Sequence, residues 1–263
     1  MNRTSAKDFS RHPGLLDGHV ERIIAAHKAA DGYMADTALR TAGLIKIPGF
    51  LGNRRQTDLQ TRVADEIYVI RPGDGKRHDS LVTASKPTSA CRLVAGAMWP
   101  VISGLFTAHH AEVARKYYEN LYLQHLTNSP DDNDEQKVFH TDTFFPAVKW
   151  WYFPHEVGPT DGPLMYVPNS PILSPALLAW HRAQIDAIRK GKVEEWRGRG
   201  HREGSLRIGL EEIADLGLKP ESVTVEADTL VIANVFGFHA RGVTTTPTHR
   251  LAVHGSIRLD NPI

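Results

Sequence analysis

The sequence predicts a mainly β fold with flanking helices, organised around a jelly-roll, cupin-like core. Three observations predict it. From residue 120 onward, short apolar runs alternate with turn signals, as in an antiparallel sandwich or barrel. Before residue 119, apolar side chains recur mostly at helical spacing. At 263 residues with 41% hydrophobic side chains, the chain can bury the core of one sizeable domain. It is therefore read as one domain, with residues 1–118 mostly helical, residues 119–263 forming the jelly roll, and a helical insertion at 174–191.

Each element follows from local pattern. Residues 1–13 are polar and read as a frayed start; beyond them Leu16, Val20, Ile23, Ile24 and His27 mark a first helix. Residues 44–51 are short, β-branched and stopped by Pro48-Gly49, a strand signal, after which Asn53 is placed as the cap of a second helix reaching about Tyr68. The turn residues of 71–80 predict a loop. Leu93, Met98, Val101 and Leu105 mark a third helical stretch over about 90–118. Strands are expected at 121–126, 147–153, 164–167, 222–226, 230–235 and 251–258. Between the third and fourth of these lies the inserted helix, capped by Ser174, with Pro175 in its first turn and Gly191 at its end. No internal repeat, low-complexity run or linker interrupts the chain.

Composition excludes several function classes. Lys+Arg 31 against Asp+Glu 30 leaves a formal charge of +1, so no global field draws the chain to nucleic acid or an anionic membrane. A single cysteine, Cys91, rules out an intrachain disulfide and fits a reducing compartment; it is expected as a small buried side chain, not a nucleophile. The polar start and the absence of about 18 consecutive apolar residues support neither a signal peptide nor a spanning helix, so the expected location is cytoplasmic.

The chemistry concentrates in His140-Thr141-Asp142, followed 97 residues later by His239, which precedes Arg250 by 11 residues. On an extended segment, residues 140 and 142 leave the same side of the backbone, so one strand end supplies two ligands. His239 follows a predicted strand and the turn-forming Gly237, which brings a third ligand to the same mouth. Two imidazoles and a carboxylate on one face of iron(II), with other positions open, suit a non-haem oxygenase. With 14 histidines, chance His-x-acid pairs are expected, and His19-Val20-Glu21, His110-Ala111-Glu112 and His201-Arg202-Glu203 occur. The first two fall on predicted helices, where i and i+2 diverge by roughly 200°. The third lies in a charge-rich loop.

Phe139-His140-Thr141-Asp142, Lys149-Trp150-Trp151, Asp161-Gly162-Pro163-Leu164-Met165-Tyr166-Val167-Pro168-Asn169-Ser170 and Phe236-Gly237-Phe238-His239-Ala240-Arg241-Gly242 form an ordered series. From about residue 44 to the C-terminus, that series resembles the phytanoyl-CoA dioxygenase family, iron(II)- and 2-oxoglutarate-dependent oxygenases with a double-stranded β-helix fold. The resemblance implies iron ligands His140, Asp142 and His239, with Arg250 pairing the distal carboxylate of 2-oxoglutarate. It places Trp151 near the cosubstrate, and Tyr122 is a further candidate for the cosubstrate wall. Two departures stand out. Pro168-Asn169-Ser170-Pro171 replaces the family's Pro-Gly-Ser-His turn, so Asn169 must take the permissive turn position. Ala252 occupies the place where related oxygenases put a Ser or Thr, leaving the second carboxylate contact unassigned. Asp142 argues against halogenation, because related halogenases replace the carboxylate with a small residue.

Three functions follow as expectations. The leading one is an iron(II), 2-oxoglutarate and O2-dependent hydroxylase of a small molecule, releasing succinate and CO2. A metal-dependent hydrolase or isomerase on a similar barrel and a non-catalytic jelly-roll binding module are the alternatives. Arg241 reads either as a contact to the cosubstrate or substrate or as a salt-bridge partner. If Arg250, Ala252, His254, Ser256 and Arg258 face the barrel, Arg250 enters the site with His254 near it. Residues 182–207 carry eight Lys or Arg against four acids, which suits an anionic substrate (a CoA ester, phosphorylated metabolite or acidic sugar) or, equally, a solvated face. Trp180 and Trp196 could stack on a ring, but helical aromatics are more often core.

Overall fold

The computed structural model describes residues 17–70, 80–84, 88–118, 121–130, 134–197 and 205–257. The expectations for residues 1–13, Leu16, the 71–79 part of the loop, the His201 look-alike, Arg199, Arg202 and Arg258 fall outside those residues.

The element order is α1 (His19–Tyr33), α2 (Thr37–Arg40), β1 (Leu44–Ile47), α3 (Asn53–Ala64), β2 (Tyr68–Ile70), β3 (Ser80–Thr83), α4 (Ser89–Gly104), α5 (Ala108–Tyr118) and β4 (Tyr122–Asn128). There follow β5 (Val148–Phe153), β6 (Leu164–Tyr166), α6 (Pro175–Arg189), α7 (Leu210–Asp215), β7 (Glu221–Val223), β8 (Thr229–Asn234), β9 (His239–Arg241) and β10 (Thr248–Ile257). The major sheet runs β1-β8-β5-β10-β4-β3-β2 and the minor sheet β7-β6-β9, all neighbours antiparallel. His140 adds a further rung, bridging His239 of β9 on one side and Arg207 on the other. From β4 onward the backbone visits the major sheet, the His140 rung, the major sheet at β5, the minor sheet at β6 and β7, the major at β8, the minor at β9 and the major at β10. That alternation is a double-stranded β-helix, the jelly roll expected from the sequence.

Strand period decides which side chains enter the barrel. On β5, Val148, Trp150 and Tyr152 pack outward with Leu230 and Ile232 of β8 and Val253 of β10, against Leu59, Val94 and Met98 of α3 and α4. The intervening Trp151 and Phe153 face inward with Val231, Ala233 and Ala252, meeting Leu164 and Tyr166 from the minor sheet. A third cluster joins Ile23 of α1 and Leu177, Trp180 and Ile185 of α6 to Phe236 and Phe238, the residues leading into His239. The inserted helix therefore buttresses the strand that carries a site residue. Ser174 caps it as expected, accepting from the Leu177 N–H at 3.0 Å, and Gly191 ends its turn at φ 65°.

Several boundaries differ from expectation. The strand expected from residue 44 forms as β1 and pairs with β8, while β2 and β3, which were not expected, pair with each other and with β4 in the major sheet. Asn53 is not the cap of α3: Gly52 holds that place, and the N–H groups of Leu51 and Gly52 are each taken at 2.8 Å by the Asp228 carboxylate. An acceptor far along the chain thus fixes the turn that leads into α3. The helix ends at Ala64 and Tyr68 starts β2, where backbone pairing with β3 overrides local propensity. The 90–118 stretch is two helices, broken at Leu105-Phe106-Thr107, where Phe106 bridges Met34 and the Thr107 N–H donates to Tyr33 O at 2.8 Å. Cys91 is fully buried. No described helix is long and apolar enough to cross a membrane.

Candidate metal centre

His140 and Asp142 lie on one extended segment clamped between neighbours. His140 exchanges backbone hydrogen bonds with His239 (2.9 and 3.0 Å), the Thr141 N–H donates to Leu206 O at 3.0 Å, and the Asp142 N–H donates to Val235 O at 2.9 Å. The backbone thus fixes all three chemical groups relative to one another before any ligand arrives. Thr141 is buried, as its alternation requires.

His140 Nε2 lies 3.6 Å from Asp142 Oδ1, and His239 Nε2 lies 3.7 Å from Asp142 Oδ2. The two imidazole centroids are 4.6 Å apart. Each histidine has its Nδ1 within hydrogen-bond distance of the carbonyl two residues before it: Val138 O at 2.8 Å for His140, Gly237 O at 2.9 Å for His239. With Nδ1–H donating, Nε2 is left as a lone-pair donor atom pointing inward. The His140 Nε2 is buried and has no hydrogen-bond partner, a costly state for a polar atom unless something binds it. Burial pushes the His140 imidazole down to about 3, helped by the neighbouring His239, so it is neutral. Burial alone would raise the Asp142 carboxyl, yet Lys149, His239 and His140 together hold it well below the usual carboxylate range. Among the described residues this trio is the only His/Cys/Asp/Glu group whose donor atoms converge, all within 4.8 Å of one another. Two ligands each roughly 2.1 Å from one ion sit at most about 4.2 Å apart, so the 3.6 and 3.7 Å separations already fit a shared cation.

The look-alikes do not converge in this way. His19 and His110 lie on α1 and α5. His19 packs edge-on against Phe144 at 4.3 Å, and His110 meets Thr107 Oγ1 at 3.0 Å.

Arg250, Ala252 and His254 occupy the barrel face of β10, whereas Leu251, Val253 and Ile257 pack outward. The Arg250 guanidinium lies over the Phe153 ring at 5.7 Å and donates to Gly162 O at 2.7 Å. Burial, then repulsion from Arg241, lowers it to about 10, so it stays cationic at neutral pH. Gly162 has φ +64°, and a Cβ there would sit 1.8 Å from Asn128 Nδ2; only glycine lets this carbonyl reach the arginine. Trp151 and Tyr122 flank His254 across β5-β10-β4. The Tyr122 ring stacks on His254 at 5.4 Å and 13°, and Trp151 meets it edge-on at 5.6 Å. Arg241 is in an ion pair with the buried Asp134 carboxylate. Asn169 takes φ 65°, the positive-φ turn position its sequence requires.

Two residues of the site carried weaker sequence signals. Lys149 donates to Asp142 Oδ2 at 3.1 Å and sits 5.3 Å from the Trp151 ring centroid. Its signal was a charged residue two positions before Trp151, hence on the inward face of the same strand. Asp134 lies in the loop before His140 and had no local signature. Three basic residues of the insertion are ion-paired: Arg189 with Asp17 at 2.7 Å, Arg197 with Glu212 at 2.6 Å and Glu194 at 2.9 Å, and Arg207 with Glu135 at 3.5 Å. Trp180 is core, donating to Glu212 Oε1 at 2.8 Å, while Trp196 is exposed under the Arg197 guanidinium.

No protein-family model and no curated protein matches this sequence. Among solved structures, the chain is similar to SnoK, a non-heme alpha ketoglutarate dependent carbocyclase from nogalamycin biosynthesis, at 16% identity and a TM-score of 0.47, covering 97% of this chain and 86% of SnoK. HygX from Streptomyces hygroscopicus, with nickel and 2-oxoglutarate bound, aligns at 16% identity and a TM-score of 0.44 over 83% of each chain. SnoN, a non-heme alpha ketoglutarate dependent epimerase from the same biosynthesis, aligns at 15% identity and a TM-score of 0.41, covering 93% of this chain and 82% of SnoN. Values this low transfer no activity from those proteins to this one.

Proposed function

We propose that this protein is a non-haem iron(II)- and 2-oxoglutarate-dependent oxygenase that hydroxylates a small organic molecule, of the phytanoyl-CoA dioxygenase type its motif series resembles. The observation that carries this is the convergence of His140, Asp142 and His239 at one end of a barrel face that presents Arg250 further along. A hydrolase or isomerase on the same three ligands has no use for a half-buried arginine on the barrel face.

Bound iron and 2-oxoglutarate supply O2-dependent oxidation of a substrate C–H bond, coupled to loss of CO2 and formation of succinate. The chain's own residues do the rest. Val138 O and Gly237 O hold the Nδ1 atoms of His140 and His239, so each ring presents its Nε2 to the ion. Asp142 is held ionised. Arg250 offers a planar fork that matches the distal carboxylate, and its bond to Gly162 O fixes the fork's direction. Trp151, His254 and Tyr122 wall the space between, and the apolar cluster around Val231, Ala233 and Ala252 keeps water from it.

Three of the eight basic residues that suggested an anionic substrate, Arg189, Arg197 and Arg207, are paired internally. We assign the substrate as a small organic molecule without specifying charge. The test is stoichiometric: in air, with Fe(II), 2-oxoglutarate and a substrate library, succinate should form and O2 should be consumed in equal amounts. Turnover of a substrate at an unchanged rate without 2-oxoglutarate would place the protein among the metal-dependent hydrolases or isomerases instead.

A further inference from the structure

Lys149 takes no part in the oxygenase chemistry itself, yet its ammonium touches the ligand set directly. Its ammonium donates to Asp142 Oδ2 at 3.1 Å, the oxygen that also lies 3.7 Å from His239 Nε2. The other oxygen, Oδ1, is the one that faces His140 Nε2 at 3.6 Å. Its stem is held in place by the same strand that carries Trp151, with the ammonium 5.3 Å from that ring. The side chain is only 27% exposed, so water screens the charge incompletely.

Two consequences follow from charge alone. A divalent cation arriving at His140, Asp142 and His239 must share the Asp142 carboxylate with an ammonium already bound to it, and it meets that ammonium's repulsion at short range. A divalent cation with Asp142 and Lys149 leaves the cluster at a net charge of +2, whereas without Lys149 it would be +1. An anionic chelator brings negative charge to that surplus, so Lys149 opposes the bare metal and favours the metal together with its chelator.

We propose that Lys149 is a positioning residue that makes metal binding and oxo-acid binding interdependent, by occupying one oxygen of Asp142 and holding a positive charge beside the ion. This rests on the oxygenase assignment and extends it. It makes the protein a poor competitor for cations in the absence of 2-oxoglutarate. By linkage, the factor by which 2-oxoglutarate tightens the metal equals the factor by which the metal tightens 2-oxoglutarate, and such couplings are typically about 5- to 150-fold.

The test uses Mn(II), which binds without turnover, on the full chain. Free Mn(II) is counted from its electron paramagnetic resonance signal, with and without saturating 2-oxoglutarate. Lys149→Met is expected to bind Mn(II) alone about tenfold tighter than the parent protein, and to lose about tenfold of the tightening that 2-oxoglutarate confers. Lys149→Arg keeps the cation and should restore both values. Lys149→Gln, which retains a donor to Asp142 but no charge, should follow Lys149→Met, and serves in its place if that variant does not fold. Equal or weaker binding of Mn(II) alone by the uncharged variants, or an unchanged coupling factor, overturns the proposal. A parent protein that binds Mn(II) but ignores 2-oxoglutarate sinks the oxygenase assignment and the coupling together. Normal coupling in the parent with no response to substitution of Lys149 sinks only the lysine's role and leaves the oxygenase assignment standing.

Discussion

Arg250→Ala separates the metal from the cosubstrate. The guanidinium lies half-buried over Phe153, fixed by Gly162 O at 2.7 Å and still charged at neutral pH despite its lowered value of about 10. A carboxylate meeting such a fork gains charge-assisted, bidentate hydrogen bonds in a poorly screened setting. Truncating one partner of a buried charged pair costs about 2–5 kcal/mol, which at about 1.4 kcal/mol per tenfold is roughly 30- to 4,000-fold in affinity. Calorimetric titration of 2-oxoglutarate into the Mn(II)-loaded variant should show that loss, while Mn(II) alone binds within about threefold of the parent protein. Arg250→Lys keeps the charge but not the fork, and its affinity should fall between the two. If Arg250→Ala binds 2-oxoglutarate as tightly as the parent, the carboxylate sits elsewhere and Arg241, freed from Asp134, becomes the residue to test.

Three other outcomes are expected. His239→Ala should abolish Mn(II) binding while leaving the far-ultraviolet dichroism unchanged; metal binding retained within about threefold would remove His239 from the site. Gly162→Ala forces a left-handed φ of +64° on a Cβ that meets Asn128 Nδ2 at 1.8 Å, costing about 2–4 kcal/mol from backbone and overpacking together. Thermal unfolding should fall by roughly 5–15 °C, and 2-oxoglutarate affinity should fall with it as the carbonyl that orients Arg250 is displaced. Acid should unfold the protein through the cluster of His19, His27 and His181, which burial holds neutral at about 4, 4 and 3. Their folded values lie below the unfolded value near 6.5, so the unfolded chain binds the extra protons. Stability is full above pH 6.5 and is lost as pH falls toward 4, by up to roughly 1.4 kcal/mol per histidine per pH unit. His181→Phe should flatten that slope in urea melts between pH 7 and 5, and an unaltered slope would show that this histidine does not drive it.

The parts of the fold legible in the sequence are those in which local pattern and tertiary role coincide. Alternation along 148–153 and 248–257 separates barrel-facing Trp151 and Arg250 from outward Trp150 and Val253, and strand period alone supplies that division. His140 and Asp142 were legible for the same reason, since two residues on an extended chain return to the same side. What escaped depends on distant partners. Asp228 holds the entry to α3 at Gly52 from 176 positions away, which no pattern around Asn53 reveals. β2 and β3 are only three and four residues long and are held by pairing with each other and with β4, not by their own composition. Asp134 meets Arg241 across 107 positions, so only the folded chain decides between an ion pair and a cosubstrate contact. Lys149 lies between these cases: its inward direction follows from Trp151, but its bond to Asp142 requires knowing how the His140 segment docks against β5.

The central claim is that His140, Asp142 and His239 hold iron(II) with a chelated 2-oxo acid, and its most direct test is anaerobic titration of Fe(II) and then 2-oxoglutarate into the metal-free protein. A visible metal-to-ligand charge-transfer band should grow to one equivalent of each, be lost in His239→Ala, and need far more 2-oxoglutarate to saturate in Arg250→Ala. A protein that binds Fe(II) at one equivalent and develops no such band at saturating 2-oxoglutarate contradicts the account.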